Sequence, residues 1–457
     1  MGAFLYNINV RRPHFNLHEL LIKKYNTLCL FILCFLLLFG EVSFAEQSED
    51  VPQNVFYAGA FFDVPPSGGN EASKYLVGPL VNKASGFTGD ELSTVVENAL
   101  RNNSSIKSKI NIFFGDDNDI GKGGHALAVY VPRAQHDEVK FSAPGAPDEY
   151  LTIISISIAV DIFTDKAAER NLLQLESLYS HLLVGEQTVK SRAPLDAAGL
   201  AAAYQSLFSL TLAEVVKDMA EDLSVQRERA NAAFQMSEFI LPKGDKTPPE
   251  ITQLIGQGGD LERSKLTLEF LHLVNKAVSD QLRAKGYKDV ALLSPPTAWA
   301  ISNVGETLAR RLVGKSRTGR VAIRFYVDPT LEQGGDLRIG GKMGVLGYTV
   351  RIGLARITTQ VLASTKLEKS SRLGVQLLAR ISRPQPGQAA KWVPVTVPEE
   401  ARTAKGVAGA DFNDVVGMER PTTREIAMSA MRLSARDLAP SLVDLMRNIA
   451  DNRVENR

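Results

Sequence analysis

The chain has 457 residues, 44% of them apolar and 23% charged, with a formal net charge of +1. Those proportions are ordinary for a folded soluble protein and exclude disorder throughout, and near-neutrality removes the electrostatic footprint that a nucleic-acid partner needs. Both cysteines, Cys29 and Cys34, lie near the N-terminus, so the remainder has no disulfide, thiol nucleophile, cysteine-ligated zinc or iron–sulfur site.

The first element is a leader. Leu28 to Phe39 is an unbroken run of 12 apolar residues behind Lys23 and Lys24. Such a run is too short for a comfortable membrane span of about 20 residues and matches the apolar region of a secretory signal. Ser43 and Ala45 occupy the two small-residue positions before a cleavage site, and cleavage after Ala45 is expected. Tyr6 stands where myristoylation requires Ser or Thr, and Ile32 and Leu33 replace the small residues of a lipoprotein signal ahead of Cys34; no lipid anchor is expected. Four of the 52 Lys+Arg and two of the 51 Asp+Glu precede residue 46, leaving 48 against 49, a net charge of −1.

After the leader, 55–64 reads as a strand stopped by Pro65 and Pro66. Leu92, Val95, Val96 and Leu100 have helical spacing within 90–101, and strands follow at 110–114 and 125–131. The stretch between those strands, "GDDNDIGKGG" at 115–124, departs from a Walker loop because Gly123 follows Lys122 where a hydroxyl is needed. An EF-hand loop from Asp116 fails at Ile120 and Leu127. It reads as a connecting turn, with a weak cation site at Asp116, Asp117 and Asp119 as the lesser reading. Residues 132–149, with three prolines, read as loop.

Alternation is clearest over 151–163, where Ile154, Ile156, Ile158, Val160 and Ile162 interleave with Ser155, Ser157, Ala159 and Asp161. This is the pattern of a half-buried antiparallel strand. A partner strand is expected at 178–189 and a long helix at 196–223. The second half repeats the grammar: helix 265–287 closed by Gly286, strand 289–294, helix 302–313, strands 320–327, 348–358 and 373–381, and a helix over 422–448 interrupted by Pro440. The glycine cluster at 334–344 reads as a hairpin or loop, and 384–409 as an exposed loop.

The expected fold is α+β, with two similar domains, each a mixed or antiparallel sheet packed by helices. The boundaries are a signal peptide at 1–45, a first domain at 46–225, a linker at 226–260 and a second domain at 261–457.

Histidines 125, 136, 181 and 272 have no metal-binding spacing and read as hydrogen-bonded structural residues, although His125 and His181 fall on strands that could approach each other. Glu221 with Asp222, and Glu399 with Glu400, read as solvent-facing. No catalytic, cofactor-binding or metal-ligating residue is assigned, and no cofactor is expected.

"GDELSTVVENALR" before "KINIFF", "VSDQLRAKGYKDVALLS", and an alternating strand pair ahead of a closing helix resemble the small α+β envelope domains of the TolB N-terminal type and the curli secretion channel protein (CsgG). The resemblance implies a periplasmic assembly role without catalytic residues. The resulting expectation is an exported accessory protein, not an enzyme, acting through envelope protein partners or self-association. Membrane association is expected only if the leader stays uncleaved. The other reading is a periplasmic solute-binding protein with a ligand cleft between two lobes, favoured by converging polar groups in such a cleft.

Overall fold

Two mixed sheets of the same connectivity organise the chain. The computed structural model describes residues 54–62, 90–114, 125–141, 147–167, 172–223, 230–244, 247–255, 259–295, 320–324, 336–339, 342–365, 368–385, 388–393, 403–415 and 423–451. All belong to one compact unit, Glu49–Arg457. The leader, 115–124, 302–313 and Glu399–Glu400 lie outside the described residues.

The first half runs β1 (Asn54–Phe62), α1 (Asp90–Asn102), α2 (Ser104–Lys107), β2 (Asn111–Phe113), β3 (His125–Phe141), β4 (Glu149–Ala167), β5 (Leu172–Ser191) and α3 (Ala197–Leu223). Its strands lie in the order β2-β1-β3-β4-β5. β1 is parallel to both β2 and β3, and the remaining pairs are antiparallel.

The second half runs β6 (Ala232–Ile240), α4 (Pro249–Ile255), α5 (Gly259–Lys285), β7 (Val290–Leu293), β8 (Arg320–Arg324), β9 (Asp336–Ile339), β10 (Lys342–Ser364), β11 (Glu368–Gln385), β12 (Gln388–Val393), β13 (Thr403–Val415) and α6 (Thr423–Asp451). Its main strands lie in the order β7-β6-β10-β11-β13, with β6 parallel to β7 and β10 and the rest antiparallel. Even the irregularities match. β1 carries one extra residue, Ala58, against β3, and β6 carries one, Ser237, against β10. A bulge of this kind bends a strand and raises its twist.

The halves share their packing. One face of the first sheet, with Ile154, Ile156, Ile158, Val160 and Ile162, is covered by α3 through Leu212, Val215, Val216 and Met219. The other face, with Ala126, Ala128, Tyr130, Ala159 and Phe163, joins a core that contains α5, α6 and the second sheet. Here the half-buried expectation for β4 is corrected: Ser155, Ser157 and Asp161 are buried, because α5 lies over that small-residue face. Small side chains leave room for a helix, and their hydroxyls require partners once covered. Ser157 Oγ donates to Glu269 of α5 at 2.7 Å. Arg133 of β3 reaches Glu269 at 3.1 Å and Glu262 at 2.9 Å, as ion pairs without the alignment of hydrogen bonds.

Several boundaries differ from the sequence reading. β3 continues through 132–141, with its register shift between Tyr130 and Arg133, where Pro132 sits; proline is tolerated in a sheet at such a bulge. The expected linker, 226–260, contains β6 and α4. β8, expected within the second domain, pairs instead with Leu172–Glu176 of β5. The loop expected at 384–409 holds β12 and the start of β13. α6 passes through Pro440 unbroken. Leu438, Ala439, Leu442 and Val443 around it are buried, and this packing offsets the hydrogen bond that proline removes. The hairpin expected at 334–344 is present as the antiparallel pair β9–β10, and Gly286 ends α5 with a φ of +65°.

Candidate functional site

β5 is an edge for most of its length. Its first five residues pair with β8 and, among the described residues, no strand lies beside Ser177–Ser191 on that side. An unprotected edge invites pairing with another chain, and folds cover such edges with helices and charged side chains. Here α3 approaches from one face of the sheet and α5 from the other, and the two meet along the edge.

The helices meet through ions and hydrogen bonds. α3 begins at an Asp196 cap, whose Oδ1 accepts from the Gly199 N–H at 2.8 Å. Its apolar stripe faces the sheet, so Asp218, Glu221 and Asp222 project toward α5. Lys276 Nζ lies 2.7 Å from Asp218, and Arg283 lies 2.7 Å from Glu221. Asp222 accepts from Ser279 Oγ at 3.0 Å and from the Tyr179 hydroxyl at 3.2 Å. His181 Nε2 meets Asp218 at 3.1 Å. Burial pushes the Asp218 pKa up, but hydrogen bonds from His181 and Lys276 outweigh it and hold the carboxyl below its ordinary value. For Lys276 burial lowers the pKa, and Asp218 more than compensates and raises it.

Two side chains cap the edge backbone itself. His272 of α5 accepts the Leu182 N–H through Nδ1 at 3.0 Å. Arg432 of α6 donates to the Val184 carbonyl at 3.2 Å and to the Glu186 carboxylate at 2.9 Å. Between these caps, α3, α5 and α6 leave a groove of about 710 Å³ over residues 182–186, lined also by Leu207, Leu210 and Leu273. Leu210 is 65% exposed. Gly185 lets α3 come close, since a Cβ there would lie 2.0 Å from Thr211 Oγ1.

Of the histidines, His125 and His181 do not come together: they pair with Thr164 and Val160 of β4, on opposite sides of that strand. His181 instead approaches His272, with ring centroids 6.3 Å apart. His136 Nδ1 is 3.0 Å from the Tyr204 hydroxyl. His181 is thus the hydrogen-bonded strand residue expected of it, and His136, expected in a loop, is a hydrogen-bonded residue of β3. Asp222 does not face solvent as expected, because α5 covers it and bonds to it, whereas Glu221 keeps 43% of its side chain exposed while pairing with Arg283. β2 and β3 lie on either side of β1. Sequence reasoning missed the groove, whose lining comes from segments far apart in the chain.

No family model matches the chain. The comparison with curated proteins likewise gives no match. Among solved structures, the chain is similar to protein XCC0632 from Xanthomonas campestris, described under family-model DUF330, with 14% identity, 37% of this chain and 83% of that one covered, and a TM-score of 0.21. It is similar to the hypothetical protein CT253 from Chlamydia trachomatis at 10% identity, over 37% and 97% of the two chains, with a TM-score of 0.22. A minor lipoprotein from Acinetobacter baumannii is similar at 10% identity, over 38% and 92%, with a TM-score of 0.18. None of these is a TolB or curli channel protein, and the resemblance to those two gains no specific support.

Proposed function

We propose that this is an exported accessory protein of the bacterial cell envelope that works by binding a protein partner, without catalysing a reaction. The observation that supports it best is the groove over the β5 edge. It has a strand edge as its floor, apolar leucines in its walls and helices on both sides, which is the setting for an extended peptide that adds to a sheet. The occupant would be an extended segment of a partner with apolar side chains at alternate positions, seated on Leu207, Leu210 and Leu273. Its backbone would compete for the Leu182 N–H and Val184 carbonyl that His272 and Arg432 now hold. Export is supported by the apolar run at 28–39 with Ser43 and Ala45 behind it.

A photo-crosslinking residue placed at position 210, in intact envelopes, tests this reading. A reproducible crosslinked partner, or a crosslinked second copy matched by an oligomer on sizing, supports it. A monomer that yields no product from position 210 overturns it. The mass of the mature N-terminus tests cleavage after Ala45 separately.

A further inference from the structure

A second cavity lies where Tyr179 and Ser180 of β5, the last turn of α3, the C-terminal half of α5 and β7 converge, with a volume of about 310 Å³. That falls at the lower end of the range for small-molecule sites. One wall is apolar: Leu282, Val290 and Leu292. The other carries Ser180, Asn275 and Asp222.

Two of those polar groups are anomalous. Ser180 is 2% exposed and Asn275 is 6% exposed, yet Ser180 Oγ and Asn275 Oδ1 have no hydrogen-bond partner within the protein. A buried polar atom without a partner costs about 1–3 kcal/mol, and such atoms mark strain or function in native folds. A purely structural seam would place apolar side chains there, as the opposite wall does.

Charge selects the ligand. The Arg283 guanidinium is shared by three carboxylates, at 2.5 Å from Asp280, 2.7 Å from Glu221 and 3.6 Å from Asp222. Lys288, which also lines the cavity, is exposed to solvent. Asp222 is the farthest of the three from Arg283 and makes no hydrogen bond of ordinary length with it. Its other contacts are the neutral hydroxyls of Tyr179 and Ser279. We propose that this cavity binds a small organic cation, a primary ammonium on a short apolar body. An ammonium carries three donors and no acceptor, matching the acceptors of Asp222, Asn275 and Ser180. Its body would lie against Leu282, Val290 and Leu292.

Titration calorimetry of the purified chain with n-butylammonium, against n-butyrate and n-butanol as probes of the same length, tests the proposal. Butylammonium binds and the other two do not. Asp222→Asn weakens binding about tenfold, the loss expected for a charged hydrogen bond. Asn275→Leu, similar in shape, weakens it as well but leaves the unfolding temperature equal or higher, because it removes an unpartnered buried acceptor. If Asp222→Asn fails to fold, Asn275→Leu carries the test alone. No binding of butylammonium at about 10 mM, the edge of measurable affinity, overturns the proposal. Equal binding of the three probes, or undiminished binding by Asn275→Leu, overturns it too.

Discussion

Ser157, near the middle of the first sheet, donates a hydrogen bond to Glu269 of α5, a residue 112 positions further along the chain. The same carboxylate lies 3.1 Å from Arg133. One helix of the second half thus supplies the counter-charge for a buried arginine of the first, and this contact makes the two sheets parts of one core.

Glu269→Ala should be among the most damaging single changes. It takes from the Arg133 charge, 5% exposed, its buried counter-charge at 3.1 Å, and breaking a buried pair from one side costs about 3–5 kcal/mol. Replacing both partners by apolar residues, Arg133→Met with Glu269→Leu, should recover most of the loss. Urea denaturation of the two variants measures the difference.

Gly406→Ala should destabilise the second sheet. A Cβ at Gly406 would lie 2.5 Å from the Ser434 carbonyl and 2.6 Å from the Leu438 nitrogen, both α6 backbone. Backbone cannot turn aside as a side chain can, so the loss should reach the upper part of the overpacking range, about 3 kcal/mol. Gly353→Ala, whose nearest contact is 3.9 Å away, is the control on strand β10 of the same sheet. The midpoint of urea unfolding separates the two.

Acid should weaken the α3–α5 seam through Asp218. Its folded pKa lies below the ordinary carboxylate value, so its contribution to stability is complete above the unfolded pKa of about 3.9. That contribution disappears as pH falls through the lower folded value. Lys276, raised in the fold, contributes below its unfolded pKa of about 10.4 and loses that contribution as pH climbs through the folded value. Unfolding temperatures from acid to alkaline pH should therefore fall at both ends for the native chain, and less steeply at the acid end for Asp218→Asn.

Leu210→Glu should separate folding from partner capture. The side chain is largely exposed, and surface substitutions of this kind fall within about 0.5 kcal/mol. The unfolding temperature should be unchanged while recovery of the crosslinked partner from a neighbouring groove position drops severalfold. Quantitative mass spectrometry of the captured material reads the effect.

Local pattern located most elements but none of the meetings between them. The α3 stripe, Leu212 to Met219, is visible as spacing because a helix against a sheet needs one apolar face. β4 was legible as a strand, yet Ser155 and Ser157 look identical in sequence whether water or α5 covers them. β13 was illegible for another reason: in "TAKGVAGADFNDV" half of the apolar residues are alanines and two glycines interrupt them. Its Gly406 answers the close passage of α6, a requirement no local pattern contains. The groove and the cavity are assembled from segments far apart in the chain, so their residues carry no shared spacing. Asp222 was misread for that same reason.

The matched bulges and shared helix also bear on how the molecule is made. Synthesis delivers the first sheet and α3 before α5, and domains generally begin to fold from the N-terminal side during synthesis. For that interval Ser155, Ser157, Asp161 and Arg133 lack the cover of α5, on a face that mixes them with Tyr130, Phe163 and several alanines. A face of that composition tolerates the wait better than an aliphatic one would. Ser157, which later anchors Glu269, is thus among the groups that water holds until α5 arrives.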